Sequence, residues 1–226
     1  MATLYIVGTP IGNLEDVTLR ALRVLKEVDL IFAEDTRVTK KLLAHYGIST
    51  EVSRVHTRNE KLAAGKIINA LNEGESVALV SDAGTPGISD PGSFIVRQVR
   101  EALPETKLIA VPGPSALAAA LSVAGLPTPG FVFMGFLPNK KGREKIFKEI
   151  AESKRAAVFY ESPHRILRTL EKLAALLPER RITVARELTK VYEEVITGAA
   201  GELVNRFKRN PDKLRGEFVV IVQVAL

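Results

Sequence analysis

Apolar and polar positions alternate in blocks along the first 125 residues of the chain. Short apolar runs at 4–7, 30–33, 76–80 and 108–111, with a weaker one at 52–55, are typical of buried strands. Between these runs, apolar residues recur at helical spacing and predict helices from Asp16 onward, with Asp16 as the N-cap, and at 36–46, 62–71, 91–103 and 115–124. This repeated alternation predicts a parallel sheet with helices on both faces.

The pattern changes after residues 126–130, which read LPTPG. Further strands are predicted at 131–136, 156–160, 182–185, 191–197 and 217–224, with helices at 143–151, 166–177 and 202–209. The short connection near Leu188 and Thr189 predicts antiparallel pairing, hence a mixed sheet. The sequence therefore predicts an α/β protein of two domains, 1–125 and 126–226, with the boundary at Pro127, Pro129 and Gly130.

Four loops follow predicted parallel strands, and three of them are rich in glycine and proline. They are GTPIGNL at 8–14, AEDTR at 33–37, SDAGTPGISDPG at 81–92 and PGPSA at 112–116. Ligands bind beyond the carboxyl ends of such strands, and glycine lets the backbone approach a ligand while proline stiffens the loop. Because four such loops share one sheet edge, we expect a ligand site there, although glycine and proline also serve simply as turn residues.

Composition excludes several classes of site. The absence of cysteine excludes disulfides, thiol chemistry and cysteine-bound metal. No P-loop motif is present, no G-x-G-x-x-G follows the first strand, and the three histidines lack the spacing of metal ligands. We find no apolar run long enough to span a membrane and no basic segment before the first apolar run, so we expect a cytoplasmic protein without a signal peptide.

Positive charge is concentrated in the second half of the chain. Residues 1–125 carry a net charge of −1 and residues 126–226 a net charge of +7. Such an imbalance attracts a polyanion such as RNA, and it is equally consistent with a solubilising surface.

Motifs along nearly the whole chain resemble those of a known enzyme family. They comprise LYIVGTPIGNL at 4–14, AEDTR, the 81–92 loop, PGP at 112–114, GFLP at 135–138, YES and HR at 160–165, ARELTK at 185–190 and GE at 216–217. Together they resemble the tetrapyrrole-methylase-like, class III S-adenosylmethionine methyltransferases. GTPIGNL, SDAGTP and RELTK are similar to the branch of that family that modifies ribosomal RNA.

The resemblance implies 2′-O-methylation of a cytidine ribose in 16S ribosomal RNA, free or in the small ribosomal subunit. It also implies S-adenosyl-L-methionine as cofactor in a cleft between two α/β domains, a homodimer, and no metal. Two alternatives stay open: methylation of a tetrapyrrole or a modified protein residue, and a non-catalytic RNA-binding relative that keeps the cofactor site.

Following the resemblance, we expect the cofactor to contact mainly backbone groups. The expected contacts lie at Pro10, Gly84, Thr85, Ile88, Ser89, Asp90, Ser115, Ala116, Leu137, Tyr160 and Ala185. Ser115 stands at a predicted helix start, where it suits a cofactor carboxylate and equally a helix cap.

The ribose hydroxyl is a weak nucleophile, so we expect a carboxylate to act as general base. Glu34 or Asp35 is the preferred candidate and Asp82 the next, although Asp35 also suits a helix N-cap and Asp82 a role in shaping its loop. RNA contacts are expected from Arg37, Lys140, Lys141, Arg143, Glu161, Arg186 and Lys190. The basic run at 140–148 is equally typical of a solvated helix face.

Overall fold

The computed structural model describes residues 2–55, 60–90, 92–126 and 130–224. The chain divides into two compact units, Met1–Ser115 and Ala116–Leu226. Within the described ranges, none of the helices is long and apolar enough to cross a membrane.

The first unit contains one sheet in which all strands are parallel. Its strands are β1 (Thr3–Val7), β2 (Leu30–Ala33), β3 (Glu51–Arg54), β4 (Val77–Val80) and β5 (Lys107–Val111), in the order β3-β2-β4-β1-β5. Its helices are α1 (Leu19–Glu27), α2 (Thr36–His45), α3 (Glu60–Asn72) and α4 (Ser93–Ala102). The predicted parallel sheet is confirmed.

Helices cover both faces of this sheet because successive residues of a strand point to opposite sides. In β4, Val77 and Leu79 pack with α3 and α4, whereas Ala78 and Val80 pack with α1 and α2. All four of these β4 residues are buried. This explains why the central strands read as continuous apolar runs rather than as alternating ones.

Two helix starts test the predicted caps. Thr18, not Asp16, caps α1, since its Oγ1 accepts a hydrogen bond from the Ala21 N–H at 3.0 Å. Asp16 lies instead in a short 3₁₀ turn, Leu14–Asp16, so that predicted cap is wrong. Asp35 does cap α2. Helix α4 begins at Ser93, and Pro91, the predicted start, lies outside the described residues.

The second unit contains a mixed sheet, as predicted. Its elements are α5 (Ala116–Val123), β6 (Phe131–Phe136), α6 (Arg143–Glu152), β7 (Ala156–Glu161), α7 (Ile166–Leu176), β8 (Arg181–Arg186), β9 (Glu194–Ala199), α8 (Ala200–Arg209) and β10 (Phe218–Val222). The order is β6-β7-β10-β8-β9, with β6 and β7 parallel and the other pairs antiparallel. The core includes the fully buried rings of Phe147, Phe159, Phe207 and Phe218.

Two boundaries differ from the expected positions. Helix α5 contacts β10, so the compact units divide after Ser115 rather than after residue 125. Pro127 and Pro129 of the expected boundary lie outside the described residues, and the domain limits stay a prediction. Strand β9 begins at Glu194, not at Val191, because residues 187–193 form a loop.

Candidate functional site

The strand order of the first unit defines one preferred edge for a ligand. The connection leaving β1 passes β4 to reach β2, whereas the connection leaving β4 passes β1 to reach β5. The two connections therefore run in opposite directions from neighbouring strands, which opens a crevice at their carboxyl ends. The loops at 8–14 and 81–92, both predicted as ligand loops, leave the sheet at this crevice.

These two loops are joined by hydrogen bonds. The Thr9 N–H donates to the Gly84 carbonyl at 2.8 Å, and the Gly84 N–H donates to the Thr9 carbonyl at 3.1 Å. The Thr9 hydroxyl also donates to the Ser81 carbonyl at 3.2 Å. Since Thr9 and Ser81 are buried, their hydroxyls stabilise the loops and do not reach solvent.

The loop after β5 packs against the same pair. A Cβ placed on Gly8 would lie 2.8 Å from the Cα of Gly113, and one on Gly113 would lie 2.7 Å from the Gly8 carbonyl oxygen. The Thr85 hydroxyl donates to the Pro114 carbonyl at 3.3 Å. The backbones after β1, β4 and β5 thus form one closely packed layer that tolerates no side chain at the Gly8–Gly113 contact.

The 81–92 loop contains strained backbone. Gly84 and Gly87 have φ angles of 82° and 83°, and Ser89, which carries a side chain, has a φ angle of 67°. A left-handed conformation costs a residue with a side chain roughly 1–2 kcal/mol. Strain of this kind persists where surrounding contacts impose it, often at binding sites.

The loop after β2 joins the layer through two of the predicted catalytic residues. The Asp82 carboxylate accepts a hydrogen bond from the Asp35 N–H at 2.7 Å. The Asp35 carboxylate in turn accepts from the Arg37 N–H at 2.9 Å and from Arg37 Nη2 at 2.6 Å. These bonds with Arg37 lower the pKa of Asp35. Asp35 and Asp82 therefore have structural contacts, and Arg37, expected to bind RNA, pairs with Asp35.

Two other carboxylates at this edge have raised pKa values. Burial raises the pKa of Glu34, and Asp82, Asp90 and Asp35 raise it further. Burial and the neighbouring Asp82 raise the pKa of Asp90 to about 6. Asp90 was expected only as a cofactor contact, and its position between Ser89 and a proline gave no sign of this environment. Carboxylates with shifted pKa values in a crevice are typical of functional sites.

A pocket of about 310 Å³ opens beside these loops within the first unit. It is lined by the 8–14 loop, the start of the 81–92 loop and one face of α2, and includes Pro10 and Asp82. Its size is at the lower end of the range for small-molecule sites. Pro10, predicted as a cofactor contact, and Asp82, predicted as a catalytic base, thus line the same pocket.

We expect Asp90→Asn to stabilise the protein at neutral pH. Because the folded state raises the pKa of Asp90 from 3.8 to about 6, its contribution to stability is complete below pH 3.8 and is lost as the pH rises through about 6. Asparagine does not ionise, so the Asp90→Asn variant does not lose stability over this pH range. Its free energy of unfolding should exceed that of the unmodified protein by roughly 1 kcal/mol near pH 8, after allowance for the partial exposure of Asp90.

Urea denaturation at several pH values measures this difference. Asp212→Asn, at a side chain 96% exposed, is the matched control and should change stability equally little at every pH. If the free energies of unfolding of Asp90→Asn and of the unmodified protein differ by a constant amount from about pH 4 to 8, Asp90 ionises normally and the prediction fails.

Two predicted cofactor residues of the second unit share one row of its sheet. Tyr160 of β7 and Ala185 of β8 are both register partners of Val219 in β10. The Tyr160 ring packs edge-on against Phe133 and Phe136, at centroid distances of 5.0 and 5.4 Å. The structure therefore brings Tyr160 and Ala185 to the same face of the sheet, opposite the main core.

Glu161, predicted to contact RNA, is the centre of a buried network. Its side chain is fully buried and accepts from Arg165 at 2.8 Å, Arg143 at 3.2 Å and the Thr169 hydroxyl at 2.6 Å. The Ser162 N–H completes its coordination at 2.8 Å. Glu161 and Arg143 are thus engaged within the protein, whereas Lys140 and Lys141 are exposed.

The two arginines extend from Glu161 to the loop that carries Leu137, another predicted cofactor residue. Arg165 donates to the Leu137 carbonyl at 2.8 Å and to Asn139, and Arg143 donates to the Pro138 carbonyl at 3.0 Å. One buried carboxylate therefore holds the 137–139 segment through both guanidinium groups. In the sequence, this network was indicated only by the short spacing between Glu161 and Arg165 in the 160–165 motif.

The ARELTK residues form a second set of internal contacts. Arg186 donates to the carbonyls of Arg215 and Tyr192, each at 3.1 Å. Lys190 Nζ lies 3.0 Å from carboxylate oxygens of both Glu187 and Glu217. Arg186 and Lys190, expected to hold phosphates, thus have partners on neighbouring loops of the second unit.

Comparisons with known proteins agree with this architecture. Residues 3–204 match the model of the tetrapyrrole (corrin/porphyrin) methylases. The solved structure of the methyltransferase CobJ superposes with a TM-score of 0.71 at 25% sequence identity, over 100% of this chain and 95% of that one.

Two curated relatives show a more specific similarity. The ribosomal RNA small subunit methyltransferase I of Escherichia coli O157:H7 is 49% identical over 97% of this chain and 77% of its own length. The protein of the same name from Thermotoga maritima is 45% identical over 98% of both chains. The chain belongs to the ribosomal RNA small subunit methyltransferase I family of the tetrapyrrole methylases.

Proposed function

We propose that the protein transfers a methyl group from S-adenosyl-L-methionine to the 2′-hydroxyl of a cytidine ribose in 16S ribosomal RNA. The observation that carries this proposal is the near 50% identity, along almost the whole chain, to proteins named ribosomal RNA small subunit methyltransferase I. The net charge of +7 in residues 126–226 supports an RNA substrate over a tetrapyrrole.

The loops of the first unit fit this cofactor chemically. S-adenosylmethionine supplies an activated methyl group on a positively charged sulfonium. The layer of Gly8, Gly84 and Gly113 places backbone rather than side chains at the crevice, as a closely approached ligand requires. Glu34, Asp82 and Asp90 give this edge a negative potential that favours a cationic ligand.

The other expected cofactor residues stay part of the proposal. Ser115 and Ala116 stand at the start of α5, where helix N–H groups suit a carboxylate. Leu137 and Ala185 are buried, so backbone groups would make their contacts, whereas Tyr160 would also contribute its ring. Calorimetry on the purified protein tests this part directly, because absence of binding at millimolar cofactor concentration contradicts it.

Glu34 is the preferred base for the ribose proton. Methyl transfer from a sulfonium is an in-line displacement, so alignment and exclusion of water supply much of the rate. The proton of the hydroxyl must still leave, and a base with a raised pKa accepts it more effectively. Of the three catalytic candidates, Glu34 has such a pKa, whereas Asp35 and Asp82 are engaged with Arg37 and the Asp35 backbone. Asp90 is a further candidate on the same ground.

Isosteric variants separate these roles. We expect Glu34→Gln to reduce single-turnover methylation roughly 10²- to 10⁴-fold, with intact cofactor binding and loss of the acidic limb of the pH profile. Asp35→Asn should keep the cap of α2, because the amide oxygen still accepts from the Arg37 N–H, and lose only the ion pair with Arg37. Asp82→Asn should weaken the hydrogen bond from the Asp35 N–H and loosen the loop that it holds. If Glu34→Gln and Asp90→Asn both react at the unmodified rate, water accepts the proton and catalysis relies on positioning.

One assay distinguishes the proposed substrate from the alternatives. Labelled S-adenosylmethionine is offered with small ribosomal subunits, free 16S RNA and a tetrapyrrole precursor, and the product is located by nuclease digestion and mass spectrometry. The proposal expects 2′-O-methylcytidine from one of the RNA substrates. Label in the tetrapyrrole or in a ribosomal protein contradicts it, and binding without transfer indicates a non-catalytic relative.

RNA contact at Lys140 and Lys141, a homodimer and a cytoplasmic location complete the proposal. Both lysines are exposed, so charge reversal there should weaken RNA binding without affecting cofactor binding. Light scattering tests the dimer, and the cytoplasmic location follows from the proposed substrate.

A further inference from the structure

We propose that the loop 187–193 and the groove beside it form a binding surface for single-stranded RNA, on which Tyr192 stacks against an unpaired base and Arg209 contacts a phosphate. This inference rests on the proposed function, since it assumes an RNA substrate. It assigns a role to residues outside the crevice of the first unit.

Tyr192 projects into solvent. Its side chain is 72% exposed, and its neighbour Val191 is 93% exposed. The Tyr192 side chain makes no hydrogen bond to the rest of the described chain, and only its backbone carbonyl is used, by Arg186. Nothing in the fold of the second unit therefore requires this ring.

The loop that displays the ring is held by several contacts. Glu187 and Thr189 both adopt left-handed backbone conformations, with φ angles of 51° and 66°. Lys190 bridges Glu187 and Glu217, and the Thr189 N–H donates to the Glu193 carboxylate. Gly216 leaves the space that Glu187 occupies, since a Cβ there would lie 2.5 Å from the Glu187 side chain. Strained backbone held by so many contacts is typical of preorganised binding loops.

A groove of about 660 Å³ lies on the second unit between β9, α8 and the 3₁₀ turn Pro211–Leu214. Its polar lining carries three cations, Arg206, Arg209 and Lys213, and one carboxylate, Glu202, together with Thr197, Asn205 and Asn210. Arg209 has no partner among the residues that the structure describes, so its guanidinium group is available for a ligand.

Glu194 connects the loop to the groove. It follows Tyr192 by two residues, and its carboxylate lies 2.6 Å from Arg206 and 2.6 Å from Lys213, both of which line the groove. Arg186, which holds the Tyr192 carbonyl, lies 3.9 Å from the same carboxylate. Three cations, Arg186, Arg206 and Lys213, therefore share the carboxylate of Glu194 at the junction of loop and groove.

An exposed aromatic ring on a loop that leads into a groove lined by three cations matches the recognition of single-stranded nucleic acid, where bases stack on rings and cations follow the backbone. A second copy of this chain would also cover Tyr192. The many charged side chains of the loop and the groove argue against that partner, because charged residues are depleted in the cores of protein–protein interfaces.

Fluorescence anisotropy with single-stranded oligocytidine tests the surface on the full chain. We expect Tyr192→Ala to weaken binding roughly ten-fold with an unchanged salt dependence, and Tyr192→Phe to bind as the unmodified protein does. Arg209→Glu should weaken binding and reduce the slope of log affinity against log salt by about one. Arg168→Glu, the same charge change at an exposed position on α7, is the control and should have a much smaller effect.

The outcomes separate this inference from the proposed function. If Tyr192→Ala and Arg209→Glu bind RNA as tightly as Arg168→Glu, the surface is wrong, even where the unmodified protein methylates small subunits. If the variants lose RNA affinity but the unmodified protein methylates no RNA, the surface stands and the function fails. Loss of a dimer in Tyr192→Ala with full RNA affinity assigns the ring to a second copy and overturns the inference.

Discussion

Replacing Gly8 with alanine is expected to disrupt the site of the first unit. The new Cβ would lie 2.8 Å from the Cα of Gly113, a backbone atom that no side-chain rotation can move away. The loops after β1 and β5 must separate, which we expect to cost about 1–3 kcal/mol of unfolding free energy. A misplacement of catalytic groups approaching 1 Å reduces rates on the order of 100-fold, and we expect a loss of methyl transfer of that size.

Gly65→Ala is the matched control, because Gly65 lies within α3 and has no atom within 4 Å of its added Cβ. Alanine in a helix should stabilise the protein by roughly 0.5–1 kcal/mol and leave activity unchanged. Thermal denaturation, cofactor titration and methylation should be measured for both variants. If Gly8→Ala retains full activity and stability, the close contact with Gly113 has no functional role.

Replacing Glu161 with glutamine is expected to destabilise the second unit strongly. The carboxylate is fully buried and pairs with Arg143 and Arg165, so the neutral amide leaves two guanidinium groups without their counter-charge. Removing one partner of a buried ion pair costs about 3–5 kcal/mol. Because the same arginines hold the carbonyls of Leu137 and Pro138, we also expect weaker cofactor binding at temperatures where the variant is folded.

Glu144→Gln provides the comparison. Glu144 also forms a short ion pair, at 2.7 Å with Lys172, but its side chain is 78% exposed. Exposed pairs of this kind contribute at most about 1 kcal/mol. Urea denaturation of the two variants separates the effect of burial from that of pairing. Equal stability of Glu161→Gln and Glu144→Gln would contradict a structural role for the buried network.

The fold followed from the sequence wherever burial determined the pattern. Strands β1, β2 and β4 are covered on both faces, so their apolar runs were readily recognised. Errors occurred where local signals were equivalent. Asp16 and Thr18 are both good capping residues, and nothing nearby in the sequence distinguishes them. Val191 and Tyr192 have the composition of a strand, yet contacts from Arg186 and Glu217 hold their segment as a loop.

The sequence predicted the loops that the structure brings together but not the contacts of their residues. Glycine and proline after parallel strands indicated the edge at which the loops after β1, β4 and β5 pack together. The bond from Asp35 to Asp82 joins residues 47 positions apart, so the sequence could not reveal that Asp82 is engaged with backbone. Arg143 belonged to a basic run that predicted RNA contact, whereas its partner Glu161 lies on a strand 18 residues later. Contacts over such separations decide which of several similar carboxylates and arginines remains free.

The central position of β1 constrains when the first unit acquires its fold during synthesis. Leu4 pairs with Val77 in β4 and with Leu108 in β5, so the first strand made has no neighbour in the sheet until the ribosome has synthesised β4, and it lacks its second neighbour until β5 follows. Pairing across such a distance makes folding slow and leaves an apolar strand exposed in the nascent chain. The contact between Gly8 and Gly113 forms later still. A nascent chain that has formed its helices but has not reached Gly113 therefore lacks the backbone layer at which we propose that the cofactor binds.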